Sequence, residues 1–336
     1  MSQTQGGWKK YVLVLCCLAA SSAQAREAAA DALEAQEWLS KIRAAAQRLN
    51  YAGTFVYQQG TLMRTSRITH MLDGHNEVEK LEVLDGQPRE YIRNNEEIIS
   101  YIPERRTLLV EKRIIKDVFP ALVAATPAQL AAHYAIQKGH VGRVAGHDAQ
   151  LVMLEPRDKL RYGYRLWADR KTGLLLRAQT VDESGRVLEQ IAFTQVFIGP
   201  IDRAQVRPSY TQLKGWRVEN TEMNHVDLSD WRVNRVPAGF AKIQEVQRLL
   251  SEAQAEEAVA SPAARELSQI VFSDGLAAIS VFIEPGSQSR TEGSLQQGAL
   301  NIVGKRLGDF WLTIVGEVPA EAIGLVANSI EYKPTK

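Results

Sequence analysis

Cysteine is nearly missing from this chain: among 336 residues there are two, Cys16 and Cys17, adjacent and close to the N-terminus. Both fall in a stretch laid out as a secretory leader. Trp8-Lys9-Lys10 is a short basic region, Tyr11 to Ala20 an apolar run, and Ala23-Gln24-Ala25 a small-residue cleavage box. Residues 1–25 are therefore expected to leave as a signal peptide, cut after Ala25. What remains has no thiol, can form no disulfide in an oxidising compartment, and must be held together by its core. A lipid anchor is not expected, because Leu15 rather than a small residue precedes Cys16.

A second long apolar run is also missing. No other stretch approaches the length of a membrane-spanning helix. Neither sign of charge is in excess: 40 Lys and Arg stand against 39 Asp and Glu, and loss of Lys9 and Lys10 with the leader leaves 38 against 39. That balance argues against nucleic acid as a partner. The mature chain is long enough for two domains, and its expected place is the periplasm of a Gram-negative cell, in soluble form.

Catalytic patterns are missing as well. There is no G-x-S-x-G, no H-E-x-x-H, no G-x-x-x-x-G-K and no cysteine nucleophile outside the leader. No enzyme activity, cofactor or metal is expected. His133, His140 and His147 stand seven apart, but Gly139, Gly142 and Gly146 break any helix that would align them. Asp169 and Asp182 each sit at a hairpin corner, where turn chemistry accounts for them.

What the chain does have is periodicity. Leu33, Trp38, Leu39, Ile42, Ala45, Ala46 and Leu49 follow helical spacing and predict one amphipathic helix. From Tyr51 the period shortens. Gly53–Gln59, Met63–Met71, Val78–Leu84, Arg89–Asn94, Glu97–Ile102 and Thr107–Glu111 are β-branched and aromatic, with Gly or Asn turn signals between them, and predict an antiparallel meander. A helix over Pro127–Tyr134 with Thr126 as N-cap interrupts it. Strands resume over Gln150–Glu155, Arg161–Asp169, Gly173–Asp182 and Val187–Val196. A first domain is thus expected over residues 31–207, a polar linker over 208–230, and a smaller α/β domain over 231–333. The second domain is read with strands at Gln269–Phe272, Ala277–Glu284, Gly298–Lys305 and Phe310–Val315, and a last helix at Ala320–Ser329. The Ala/Glu-rich stretch Gln244–Ala264 reads as an exposed helix or a mobile insertion.

A curved antiparallel sheet wrapped over helices offers a concave face to an apolar ligand. Phe55, Tyr57, Tyr91, Ile99, Tyr101, Tyr162, Tyr164 and Trp167 are candidates for that face; the competing reading is that they are packed core. Arg105-Arg106, Lys112-Arg113 and Lys116 form a basic cluster suited to anionic lipid head groups or an acidic peptide, or else a solvated strand face.

Several stretches resemble one family. Arg143-Val-Ala-Gly-His147, Leu154-Glu-Pro-Arg-Asp158, Arg161-Tyr-Gly-Tyr-Arg-Leu-Trp167 and Lys171-Thr-Gly-Leu-Leu-Leu-Arg177 look like the first domain of the RseB/MucB family. Val236-Pro-Ala-Gly-Phe240, Phe272-Ser-Asp-Gly-Leu276, Ser280-Val-Phe-Ile-Glu284 and Val315-Gly-Glu-Val-Pro319 look like its second, in the same order. The resemblance implies an α+β protein: an unclosed antiparallel barrel around helices, similar to periplasmic lipoprotein carriers, plus a smaller α/β domain. It further implies a negative regulator of the envelope stress response. Such a protein binds the periplasmic part of a membrane anti-sigma factor of the RseA/MucA type, shields it from proteolysis, and lets go when lipopolysaccharide or a related lipid binds. A homo-oligomer is compatible with it, and a periplasmic lipid or lipoprotein carrier is the competing function. For lipid, Phe55, Tyr57, Tyr91, Tyr101, Arg105, Arg106, Lys112 and Arg113 are the candidate contacts. For the protein partner, Trp231, Phe240 and Phe282 are, with core packing as the competing role of each.

Overall fold

The computed structural model describes residues 31–74, 76–112, 126–221, 223–250, 265–286 and 290–334. The expected leader with Cys16 and Cys17, the basic residues Arg113 and Lys116, and residues 251–264 lie outside the described residues.

Helix α1 covers residues 31–48. Ala35, Leu39, Ile42, Ala45 and Ala46 recur at helical spacing, so one stripe of α1 is apolar, and all five are buried while Leu33 stands in solvent. The first six strands follow as a meander: β1 (Tyr51–Gln59), β2 (Leu62–Asp73), β3 (Asn76–Val83), β4 (Arg89–Asn94), β5 (Glu97–Ile102) and β6 (Thr107–Lys112). Helix α2 (Pro127–His133) comes next, and its start is chemically fixed. Thr126 and Gln129 form a reciprocal capping box ahead of Pro127 at the first turn. Then come β7 (Tyr134–Val144), β8 (His147–Pro156), β9 (Gly163–Asp169), β10 (Leu175–Val181) and β11 (Val187–Ile198).

These strands make one open 12-stranded sheet, completed at one edge by β12 (Arg217–Thr221), in the order β12-β6-β5-β4-β3-β2-β1-β11-β10-β9-β8-β7. Helix α1 lies on its β7–β10 half, where Leu39 and Ile42 meet Val152, Leu154, Leu166 and Ala168. Beside that patch Tyr51, Phe55, Ile68 and Phe193 form a second packed cluster.

Strand β7 lies where Gly139 and Gly142 read as breaks. It carries a bulge between Lys138 and Val141, and a Cβ on Gly139 would stand 2.8 Å from Leu151 Cγ. The glycine is there for close approach within a strand, a role that looks in sequence like an interruption.

The second unit has a seven-stranded antiparallel sheet in the order β13 (Met223–His225), β15 (Ala241–Leu250), β16 (Arg265–Ser273), β17 (Ala278–Pro285), β20 (Phe310–Gly316), β19 (Leu300–Leu307) and β18 (Gly293–Gln297). Helix α3 (Ala320–Ala327) packs Ile323 and Val326 against Ile279, Val281, Leu312 and Ile314. Side chains buried this fully contribute about 1.5–3 kcal/mol each, which suits units whose described residues include no cysteine. A two-stranded ribbon, β14 (Trp231–Val233) with β21 (Ile330–Tyr332), closes the end.

Two expectations are corrected here. The Gln244–Ala264 stretch is not an exposed helix over its described part, because Gln244–Leu250 belongs to β15. Pairing on both sides, with β13 and β16, overrides the helix preference of Glu, Gln and Leu. Nor do residues 208–230 hang as a free polar linker. Strand β12 pairs in parallel with β6 of the first sheet, and β13 pairs with β15 of the second. Upstream of β12, Tyr210 and Trp216 pack on Tyr101, at ring distances of 5.9 and 6.4 Å.

Candidate partner and lipid surfaces

The two units meet around one guanidinium. Arg161 comes from the short loop between β8 and β9, and its side chain is fully buried. Its Nη1 donates to Asp274 Oδ2 at 2.8 Å, its Nη2 to the carbonyl of Ala238 at 2.5 Å, and its Nε to Asp158 at 3.1 Å. The guanidinium also lies 5.5 Å from the centre of the Tyr134 ring and 5.6 Å from that of Phe240, within cation–π range. Asp274 divides its work. Oδ1 accepts from the amides of Leu276 and Ala277, holding the β16–β17 turn, and Oδ2 is left for Arg161 and the Tyr134 hydroxyl. Burial, and then the charge of Asp274, push the Tyr134 hydroxyl well above its ordinary pKa, so it stays a proton donor.

Two further contacts cross the junction. Gln59 at the end of β1 donates to the carbonyl of Gln297 at 3.1 Å, and the ring of His133 sits over Gly239, where an added Cβ would come within 2.2 Å of Nε2. Between the units opens a cleft of about 860 Å³, walled by Arg157, Asp158, Arg161 and Arg165 on one side and by Gln296, Pro319 and Glu321 on the other.

The structure does not gather the proposed lipid residues on one surface. Phe55 is buried core, edge-on to Phe193, over a gap of about 10 Å³, too little for an acyl chain. Tyr57 donates to Glu189 at 2.9 Å, and burial, reinforced by the Glu189 charge, raises its pKa. Tyr91 is half-buried on the face that also carries Leu81. Tyr101 pairs with Glu90, one residue out of step with Tyr91, so its ring points to the opposite face, where residues 210–216 cover it. Arg105 and Arg106 lie in the turn before β6, and Lys112 ends that strand, which puts them roughly 17 Å or more apart at the usual rise. Among the described residues Arg105, Arg106 and Lys112 form no single cluster.

The partner candidates also separate. Phe240 is buried in the core of the second unit beneath Arg161. Trp231 is half-buried and packs on Phe310 and Tyr332, at ring distances of 5.0 and 4.7 Å. Phe282 alternates with Val281 and Ile283, both core residues, and so lies on the other side of the sheet from α3. Asp169 and Asp182 serve their turns, accepting from Thr172 and Ser184. Among the described residues no group of three His, Cys, Asp or Glu side chains converges to hold a metal, and no helix is long and apolar enough to cross a membrane.

Sequence reasoning missed the Arg161–Asp274 pair. Each lies in a stretch that carried the family resemblance, but 113 positions separate them, and linear spacing holds no sign that they meet.

A large open sheet and a small antiparallel unit, joined by a buried ion pair beside a two-walled cleft, make a two-domain α+β protein. Residues 34–210 match the MucB/RseB N-terminal domain and residues 225–331 the MucB/RseB C-terminal domain, and the chain belongs to that family. It is 30% identical to the sigma factor AlgU regulatory protein MucB of Pseudomonas aeruginosa, over 90% of this chain and 92% of the relative. It is 26% identical to the sigma-E factor regulatory protein RseB of Haemophilus influenzae, over 97% of this chain and all of the relative. The structure of the Pseudomonas aeruginosa MucA/MucB complex aligns with a TM-score of 0.69 at 28% identity, covering 90% of this chain and 100% of the matched one. Relatives bearing these names are regulatory proteins rather than enzymes.

Proposed function

We propose that this protein is a periplasmic regulator that binds the periplasmic segment of a membrane anti-sigma factor, shields it from proteolysis, and releases it when lipopolysaccharide or a related lipid binds. One observation carries the reading: both units match MucB along nearly their full length, and a MucB has been crystallised with the periplasmic part of MucA. The leader-like residues 1–25 support export. The lipid step follows ordinary linkage, because a lipid can dissociate the complex only as far as it prefers the unbound form of the protein. Tyr57 and Tyr91, both on the face of the open sheet that carries α1, are the lipid contacts kept from the larger set. From the other set Trp231 alone is kept as a partner contact, together with Phe310 and Tyr332, the rings it packs on.

Capture from an envelope extract of the host separates this reading from that of a carrier. The tagged mature chain is expected to retain a membrane-spanning anti-sigma factor. Recovery of a broad set of lipoproteins without it would favour the carrier.

A further inference from the structure

We propose that Arg161 is a positioning residue that sets the angle between the two units and thereby the shape of the cleft between them. A guanidinium with no solvent exposure, meeting a carboxylate that is 1% exposed, is stable only while both stay paired, because separation leaves a charge stranded in an apolar setting. All its donors named above are engaged: Nε by Asp158 of its own unit, Nη1 by Asp274 and Nη2 by Ala238 of the other. The planar fork therefore reads orientation as well as distance.

Two other contacts resist rotation about this point. Gly239 and Gly298 both have left-handed φ, +84° and +59°, and each lies against a side chain of the first unit, His133 and Gln59. The β12–β13 segment, paired into both sheets, is a third tie. Arg161, Asp158 and Tyr162 line the cleft themselves, so a change of angle at the ion pair changes the cleft walls directly. This inference rests on the regulator reading only for its binding measurement.

The test uses the full mature chain. Arg161→Met is expected to keep the far-UV circular dichroism of the wild type, broaden its small-angle X-ray scattering envelope, and weaken binding of the purified periplasmic segment of the host's MucA-type anti-sigma factor by about a hundredfold, the low end of what joining two sites gains. A matched glycine pair guards against misfolding of that variant. Gly298→Ala and Gly308→Ala carry the same backbone strain, at φ +59° and +58°, but only the first displaces Gln59 from the junction. Gly298→Ala should broaden the envelope and Gly308→Ala should not. Unchanged scattering in Arg161→Met, or equal scattering from the two glycine variants, overturns the proposal. So does a broadened envelope with undiminished binding. Should the wild-type chain bind no such segment, the regulator reading falls, while scattering still decides whether Arg161 sets the angle.

Discussion

Replacing Glu90 by alanine is expected to lower the stability of the first unit by about 2–3 kcal/mol, short of the roughly 3–5 kcal/mol of a fully stranded buried charge, because Glu82 stays 3.3 Å from Lys80. Glu90 and Lys80 lie 3.2 Å apart with side chains 3% and 7% exposed. Together they hold the chain that leaves the first sheet. Glu90 accepts from the amide of Ser209, and Lys80 donates to the Ser209 hydroxyl and to the carbonyl of Arg207. Loss of Glu90 therefore leaves Lys80 with Glu82, 3.3 Å away, as its remaining carboxylate, and frees residues 207–216, which cover Tyr101 and lead into β12. Urea unfolding should show a lowered midpoint, and limited proteolysis should show new cleavage near Arg207. An unchanged midpoint would mean that water replaces the carboxylate and that the pair is not closed to solvent.

Acid should remove a second block of stability. Glu77 has its pKa lowered to about 2, first by its hydrogen bond with His70 and further by Arg93. His70 is fully buried, its Nδ1 2.8 Å from the carbonyl of Leu49 and its Nε2 3.1 Å from Glu77 Oε1, and it stacks on Tyr51. A carboxyl whose folded pKa lies below its unfolded value of 4.5 contributes stability that is complete above about pH 4.5 and disappears as the pH falls toward 2. The full shift is worth about 3 kcal/mol at 1.36 kcal/mol per unit; screening of the exposed fifth of the side chain brings the expectation to about 2 kcal/mol. Wild type should lose about 1.5 kcal/mol more than Glu77→Gln between pH 5 and pH 2.5 in matched urea titrations, most of the contribution, since the folded pKa lies below that range. Parallel slopes in the two proteins would refute the assignment.

The parts of the fold legible in sequence are those with a local cause. The meander from Tyr51 to Lys112 announced itself through alternation and turn residues; β4 and β5 coincide with the strands expected from their residues, and α2 began where Thr126 and Pro127 placed it. Strands β7, β12, β13, β14, β15, β18 and β21 were missed: the glycines of β7 read as breaks, and the others are strands through their partners rather than their own residues. For β12 the partner is over a hundred positions upstream, in β6. The site followed the same rule. Aromatic side chains signal that something is packed without saying on which face, so Tyr91 and Tyr101, both expected on the concave face, point to opposite sides of the sheet. Phe240, a candidate partner contact with core packing as its competing role, is core and lies against Arg161. The residue that joins the two units looked in sequence like one more arginine after Asp158.

The proposed regulator requires its two units to act together on one partner segment. Its most direct test is a protection assay with the purified periplasmic segment of the host's MucA-type anti-sigma factor and the protease that first cleaves it. The intact mature chain should slow cleavage strongly, and added lipopolysaccharide should restore it. The Arg161→Met chain should protect poorly even without lipid. Equal cleavage with and without the intact chain, or protection by Arg161→Met as complete as that by wild type, would contradict the account.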